Sequence, residues 1–581
     1  MSRSACQGGR ILLWLGLATL LVYISVTANK FVWDDASLIV DNNSLRHPLL
    51  IFSTFFEYLP FVHRSAMPLF LAYAFKIYRP FMILSFALDF RIWGLNPAGF
   101  HLTNLFLHLL NVYLVVLLAR QLPYGQRFAP LAGLIFALHP VHSEALAAML
   151  GRSDLMITAF SLMGLLAYHR FLRESRRFHR AMAYGFTLLC YLAGCLTKEN
   201  GIIFPLLLII TERWAWAGDR EKRGGWAQAL SLTPFLALGL LYFWLHQAMV
   251  PPYGQEVWGG GRRQTALIML IVLWKYFILL VFPAFSSPYY LLHRPEGLAY
   301  LRVLAGLLVL LGSFFLAVKF YRRLPLLTWA VAWIGFSLLP VSNIILIPGE
   351  IMAERWLYLP SVGFSIFLAW GIHAVFQGVG QPWKRCLLSF GVVILILAVI
   401  RIFYSIGLWK DERTLKLAIV KRYPESVMAH NNLGWVLISE GRIQEAEEQF
   451  YLAYRSNSGD PLVLSNLGAV FMRQGNWEKA IEFYRRAVAR DPFLSAAQFN
   501  LGYAYHKQGQ LDSAAAVYRR VLKLNPWDVE TLTNLGIILN RKEEWVAAEE
   551  VFRQALVLEP QDTLLQGYWR KARNHEQLEN R

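Results

Sequence analysis

The sequence predicts an all-α protein in two parts, a multi-pass membrane domain followed by a soluble helical-repeat solenoid. Three observations predict it. The 581 residues are 56% hydrophobic and 15% aromatic but only 16% charged, far from a soluble average. Many apolar runs before Phe403 are long enough for a bilayer core of about 30 Å. Beyond Phe403 the tripeptide Asn-Leu-Gly recurs at Asn432, Asn466, Asn500 and Asn534, a constant step of 34 residues.

The formal charge of +18 comes from basic residues in short loops between apolar segments. That distribution is the mark of cytosol-facing loops and argues against nucleic-acid binding. Cys6, Cys190, Cys195 and Cys386 show neither metal-ligand spacing nor a disulfide framework. Arg3, Arg10 and the apolar run Ile11 to Thr27 would also suit a signal peptide cleaved after Ala28. A retained first helix accounts better for the acidic pair Asp34 and Asp35, placed just where the chain leaves the bilayer. Ionised groups at that border need water, a partner or a ligand, which makes the pair a candidate site.

Charge gives sidedness loop by loop. The basic N-terminus is inside, and Asn29 to about Gly99 lies outside, with Leu49-Leu-Ile-Phe-Ser-Thr-Phe-Phe56 suited to helices lying along the membrane surface. Phe100 to Leu118 returns to Arg120 and Arg127. Ala129 to Leu138 leads out to His139-Pro-Val-His142. Leu155 to Tyr168 comes back to the most basic loop, His169 to Arg180. Ala183 to Leu196 leads out to Thr197-Lys-Glu-Asn200, Ile202 to Ile210 leads in, and Ala227 to His246 leads out. If Thr265 to Pro283 lies in the outer face rather than crossing, Lys319 to Arg323 and Lys384-Arg385 both become cytosolic. That gives about eleven spans, with the C-terminus outside. Asp34, Asp35, His101, His139, His142, Glu144, Arg152, Asp154, Lys198, Glu199, Glu350, Glu354 and Arg355 then share the outer face.

In the last third, Ala446, Ala480, Ala514 and Ala548 keep the 34-residue step, as do Phe450, Tyr484, Tyr518 and Phe552. Pro492, Pro526 and Pro560 close the units, and Pro424 is in phase with a partial leading unit. This is the tetratricopeptide signature, whose stacked helix pairs offer a concave face to extended peptide. The expected domains are residues 1–407 for the membrane part, 408–426 for a connector with a partial repeat, 427–562 for the repeats and 563–581 for a capping helix.

Val32-Trp-Asp-Asp35, Tyr78-Arg-Pro80, Gly94-Leu-Asn-Pro97 with Phe100-His-Leu-Thr-Asn104, and His139-Pro-Val-His-Ser-Glu144 with Gly151-Arg-Ser-Asp154 form an ordered set of motifs. Thr197-Lys-Glu-Asn200, Pro340-Val-Ser-Asn343 and Met352-Ala-Glu-Arg-Trp-Leu-Tyr-Leu-Pro-Ser-Val-Gly363 continue it. With the trailing repeats, the whole resembles the transmembrane and tetratricopeptide repeat-containing proteins. Gly218 to Glu296 matches least. The resemblance implies a GT-C type glycosyltransferase that takes a sugar, with mannose expected, from a polyprenyl-phosphate carrier. The acceptor would be Ser/Thr hydroxyls of proteins at the extracytoplasmic face. Eukaryotic members carry longer repeat arrays than the four or five units here. A prokaryotic relative in a bacterial inner membrane, with its site and repeats in the periplasm, is therefore favoured over an ER enzyme with a luminal site.

Such transfer needs a carboxylate to take the hydroxyl proton and cations to stabilise the departing phosphate. The resemblance points to Asp34 or Asp35 as the base without separating them. His139, His142, Arg152, Lys198 and Arg355 are the candidate phosphate ligands, arginine being suited by its bidentate geometry. Glu144, Asp154 and Glu354 complete the substrate-binding set, Glu144 and Asp154 being expected to hold Arg or Lys side chains rather than to act in the chemistry. Glu354 is expected either in the chemistry or as a clamp on Arg355 or Arg152. His101, Asn104 and His108, at helical spacing, read as helix-packing polar residues. A divalent metal on His139, His142 and Glu144 is not favoured, because Pro140 breaks the helix that would align the rings. The expected partners are the lipid-linked donor, membrane lipids and an acceptor protein or peptide bound by the repeats. The alternatives are a non-catalytic scaffold, in which the outer acids are dispensable, and a lipid-linked glycan transporter, which would carry charges deep in helices and on both faces.

Overall fold

The computed structural model describes residues 3–46, 79–216, 225–249, 261–292, 295–343 and 351–578. All regular structure among them is helical. The Leu49 to Phe56 segment and Glu350 lie outside the described residues. The chain divides into two compact units, Met1–Leu415 and Lys416–Arg581.

The first unit holds α1 (Arg3–Tyr23), α2 (Pro80–Trp93), α3 (Pro97–Arg120), α4 (Gly125–Ala137), α5 (Arg152–Arg173), α6 (Arg177–Thr197), α7 (Gly225–Met249) and α8 (Arg262–Val281). It continues with α9 (Ala299–Phe320), α10 (Pro325–Leu338), α11 (Pro360–Gly378) and α12 (Gln381–Leu408). Local chemistry sets the starts. The Asn96 side chain accepts from Ala98 N at 3.1 Å, with Pro97 in the first turn of α3, where its missing N–H costs nothing.

Eight of the described helices are long and apolar enough to cross a bilayer, fewer than the eleven spans read from the loops. Four of the eleven, α4, the 21-residue α6, Phe204–Ile210 and α10, are not among the eight, which include α8 instead. The 13 residues of α4 and the 7 of Phe204–Ile210 rise about 1.5 Å per residue and fall short of the apolar core. Helix α8 has the length of a span, and its buried side chains Ile268, Val272 and Leu279 pack with Val141, Val341 and Met352. Those three belong to the segments between helices, while Leu273 and Phe277 face α9, α10 and α11. By length, composition and packing α8 is therefore a further candidate span, where the loop charges read Thr265 to Pro283 as lying in the outer face. Gly306 lets α9 close on α8, since a Cβ there would overlap the Leu270 carbonyl.

Helix α13 (Glu412–Arg422) begins at the end of the first unit. The second unit contains four helix pairs, α14–α15 (Val427–Ser439, Ile443–Ser456), α16–α17 (Pro461–Arg473, Trp477–Arg490), α18–α19 (Ser495–Lys507, Leu511–Leu524) and α20–α21 (Val529–Arg541, Trp545–Leu558). A single helix, α22 (Thr563–Arg573), follows, burying Leu565 and Ala572.

The repeat signature has a direct packing cause. Gly434, Gly468, Gly502 and Gly536 each face the ring of Phe450, Tyr484, Tyr518 or Phe552 in their own pair, and all four rings are fully buried. Gly441, Gly475 and Gly509 turn from the first to the second helix at φ 76°, 75° and 81°, and Glu543 fills the same place in the fourth pair at φ 64°. A Cβ on Gly468 would lie 2.9 Å from the Tyr484 ring. Gly468→Ala is therefore expected to destabilise the array by about 1–3 kcal/mol, read as a lowered denaturation midpoint of the repeats.

Candidate active site on one face of the membrane unit

The loops after α1, α4, α6, α8 and α10 and the end of α12 gather on one face of the first unit. Met149 N donates to Asp35 Oδ1 at 3.1 Å, joining the loop after α1 to the loop after α4. His139 Nε2 bonds Leu280 O at the end of α8, 2.9 Å away. Asn29 Nδ2 donates to Ile406 O near the end of α12 at 3.1 Å.

The two acids of Asp34-Asp35 are separated by the backbone between them. Trp33 adopts φ 57°, a left-handed turn, and after it Asp34 faces solvent while Asp35 is buried. Val32 N donates to Asp35 Oδ2 at 3.0 Å, so each oxygen of Asp35 holds a backbone N–H. Burial, reinforced by the Asp34 and Glu412 charges, pushes the Asp35 carboxyl up to about 7 against its two N–H donors. Leu38 N and the Ser37 hydroxyl both bond the Asp34 carbonyl at 2.9 Å, fixing the turn.

The cations read as phosphate ligands lie inside the fold. Arg152 is fully buried, 2.6 Å from Asp89. Its Nε donates to Asn104 Oδ1 at 2.8 Å, Nη2 donates to Phe100 O at 2.8 Å, and the guanidinium stacks over Phe86. Lys198 is buried against Asp154 at 2.6 Å, and burial lowers its ammonium despite that partner. Arg355 is paired with Glu144, whose Oε2 also takes Glu354 N at 2.8 Å and Arg355 N at 3.2 Å. Glu144 and Asp154 thus hold cations, in the roles read from the sequence.

The histidines are also engaged inside. His139 Nδ1 accepts from Val141 N at 3.3 Å, so both ring nitrogens are bonded. His142 Nε2 meets Ser361 Oγ at 2.8 Å. Desolvation lowers His139 to about 4 and His142 well below its ordinary value, keeping both rings neutral. His108 bonds Tyr358 OH and Ala137 O, and His101 and Asn104 approach Leu146 O, as packing residues do.

Glu354 corrects an expectation. Rather than clamping Arg355 or Arg152, it accepts from Ser287 N and from the Tyr290 hydroxyl. Glu199 pairs with Arg79 at 2.6 Å; burial would raise its carboxyl, but the arginine outweighs that and holds it at about 2.

Residues the sequence reading passed over complete the face. The Lys275 ammonium lies 5.1 Å over the Tyr290 ring. Arg401, half-buried near the end of α12, donates through Nε to Ser286 Oγ at 2.9 Å. Trp33 stacks on Tyr289 with ring centroids 5.9 Å apart. Asp89 could have been found: a lone carboxylate within the apolar helix Phe81 to Trp93 demands a partner. Arg401 and Glu412 carry no comparable local signal. An apolar cavity of about 1140 Å³ opens between α8, α9, α10 and α11, lined by Met269, Leu273, Phe277, Leu310, Ile334 and Phe367.

Residues 413–461, 465–528 and 499–563 match the tetratricopeptide repeat family. Over most of its length, the chain also aligns with a protein O-mannosyl-transferase of Caenorhabditis elegans, 28% identical over 469 residues, or 77% of this chain and 63% of that protein. It is similar to the protein O-mannosyl-transferases. Human protein O-mannosyl-transferase TMTC4 is 25% identical over 489 residues, 75% of this chain and 65% of that protein. Drosophila melanogaster Tmtc3 is 26% identical over 521 residues, 76% and 55% respectively. The chain thus spans a little under two thirds of the length of the curated relatives it matches. Solved structures similar to part of it include that of MamA, 20% identical, covering 26% of this chain and 89% of that one with a TM-score of 0.25.

One pH effect follows from the burial of Glu354. Desolvation first, and the Glu144 charge second, push its carboxyl up to about 8 from an ordinary 4.5. The folded chain therefore keeps a proton that the unfolded chain has lost, and stability falls as pH rises through that window. The buried histidines contribute the opposite slope only below their ordinary value of 6.5. Between pH 6.5 and 8, then, the thermal midpoint is expected to fall by the equivalent of up to about 1.4 kcal/mol per pH unit per proton. Glu354→Gln should flatten most of that fall.

Proposed function

We propose that this chain is a GT-C type glycosyltransferase that moves a sugar, mannose by its relatives, from a polyprenyl-phosphate carrier to Ser/Thr hydroxyls of proteins. The observation that carries the reading is a solvent-facing carboxylate, Asp34, set on a rigid, buried, ion-paired base in a membrane unit with a lipid-sized apolar cavity. In this reading Asp34 takes the proton of the acceptor hydroxyl as its oxygen attacks the anomeric carbon. The bond to the phosphate oxygen breaks with its electron pair, leaving polyprenyl phosphate and inverting the anomeric centre.

Asp35, with both oxygens on backbone N–H groups, positions its neighbour. Arg152, Lys198 and Arg355 hold the scaffold, and stabilising the departing phosphate falls to the half-exposed cations Arg401 and Lys275. The cavity between α8, α9, α10 and α11 suits the isoprenoid chain. No step requires a metal. The repeats recruit the acceptor protein, and the span that precedes them in sequence, α12, ends on the face of Asp35. We place that face extracytoplasmically, opposite the most basic loop, His169 to Arg180.

The test supplies membranes containing the protein with labelled polyprenyl-phosphate-mannose and secreted protein as acceptor. Label on Ser/Thr supports the reading. Failure with mannose and with other lipid-linked sugars would overturn it.

A further inference from the structure

Two lengths of chain nearly 400 residues apart meet beside Asp34. Lys30 N donates to Lys410 O at 2.9 Å, Asn29 Nδ2 donates to Ile406 O at 3.1 Å, and Trp33 N donates to Glu412 Oε2 at 2.5 Å. The last is a charge-assisted bond to a half-buried carboxylate. Its donor is the residue with the least comfortable backbone in the loop, a tryptophan at φ 57°, where bulky L residues are outliers. Such a conformation persists only where the surroundings over-determine it. Here the surroundings are the Tyr289 ring stacked on the indole and the carboxylate bonded to the N–H. The turn at Trp33 is also what sends Asp34 outward and Asp35 inward.

We propose that Ile406–Glu412 is a strap that holds the Asn29–Asp34 elbow in its working shape, with Glu412 as the positioning residue for Asp34. The inference rests on the proposed role of Asp34. Glu412 touches no reacting atom. Without its carboxylate the Trp33 N–H loses this acceptor and the left-handed turn loses a restraint. The elbow then relaxes toward ordinary backbone, and Asp34 moves with it. A displacement of about 1 Å at a reacting group can cost about 10²-fold in rate. Glu412 is also the first residue of α13, which continues in sequence into the repeats. The segment that carries the acceptor-binding array is, on this proposal, part of the active site's frame.

The test uses the full chain in lipid nanodiscs, as wild type, Glu412→Ala and Glu412→Gln, with two readouts. Hydrogen exchange follows the backbone amides of residues 30–35, and transfer kinetics follow kcat and donor KM separately. Glu412→Ala is expected to speed exchange at those amides, leave exchange in the repeats unchanged, and lower kcat by about 10- to 100-fold with donor KM within about twofold. Glu412→Gln keeps an acceptor oxygen for Trp33 N–H and should recover most of the rate and protection. Wild-type exchange in Glu412→Ala, faster exchange with unchanged kcat, or a glutamine variant as impaired as the alanine would each overturn the strap. A wild type that transfers nothing from any donor overturns the enzymatic reading instead, and the exchange measurement then decides the strap alone.

Discussion

Asp34→Asn lowers kcat by about 10²- to 10⁴-fold, the usual contribution of a general base, while the protein inserts and unfolds as the wild type does. The carboxylate is exposed and amide is nearly isosteric with it, so the fold has little stake in its charge. Asp35→Asn behaves differently. Its amide nitrogen must face either Val32 N–H or Met149 N–H, both of which now bond carboxylate oxygens. One donor is left buried without an acceptor, at about 1–3 kcal/mol. Activity and stability should therefore fall together for Asp35→Asn and separately for Asp34→Asn, read from transfer rate and thermal midpoint in the same preparation. A wild-type rate in Asp34→Asn removes Asp34 as the base and passes that role to another carboxylate of the same face.

Much of this architecture could be read from the chain because it is periodic or compositional. The 34-residue step of glycine and aromatic residues is a local code, each glycine facing a ring 16 residues on within its own pair, as Gly468 faces Tyr484. The helical membrane unit was legible from the apolar runs, and acids at Glu144 and Asp154 amid nearby cations suggested the ion pairs they make. What stayed hidden was pairing across the fold. Nothing in the sequence tells Arg152 that it pairs with Asp89, or that Glu144 rather than Glu354 takes Arg355. Two adjacent acids look alike in one dimension. Only the left-handed turn at Trp33, held from the far end of the unit by Glu412, gives them opposite fates.

The Glu144–Arg355 pair offers the second large effect. Both side chains are buried, and Glu144 also accepts from the N–H groups of Glu354 and Arg355, so one carboxylate anchors the start of the turn Glu354–Leu357. Glu144→Ala takes the bonded carboxylate from the buried Arg355 guanidinium, a loss of about 3–5 kcal/mol, read as a lowered thermal midpoint or faster proteolysis of the membrane unit. Arg355→Met strands the carboxylate and should cost a similar amount. Joining Glu144→Met to Arg355→Met removes both charges, and apolar replacement of a buried pair is often near neutral. Recovery should still be partial, because the two backbone N–H groups lose their acceptor. A phosphate ligand behaves in the opposite way. If Arg355 held the donor, Arg355→Met would raise donor KM with little loss of stability, and the double variant would rescue nothing. Stability that collapses in each single variant and returns in part in the double variant identifies a clamp, and leaves the phosphate to Arg401 and Lys275.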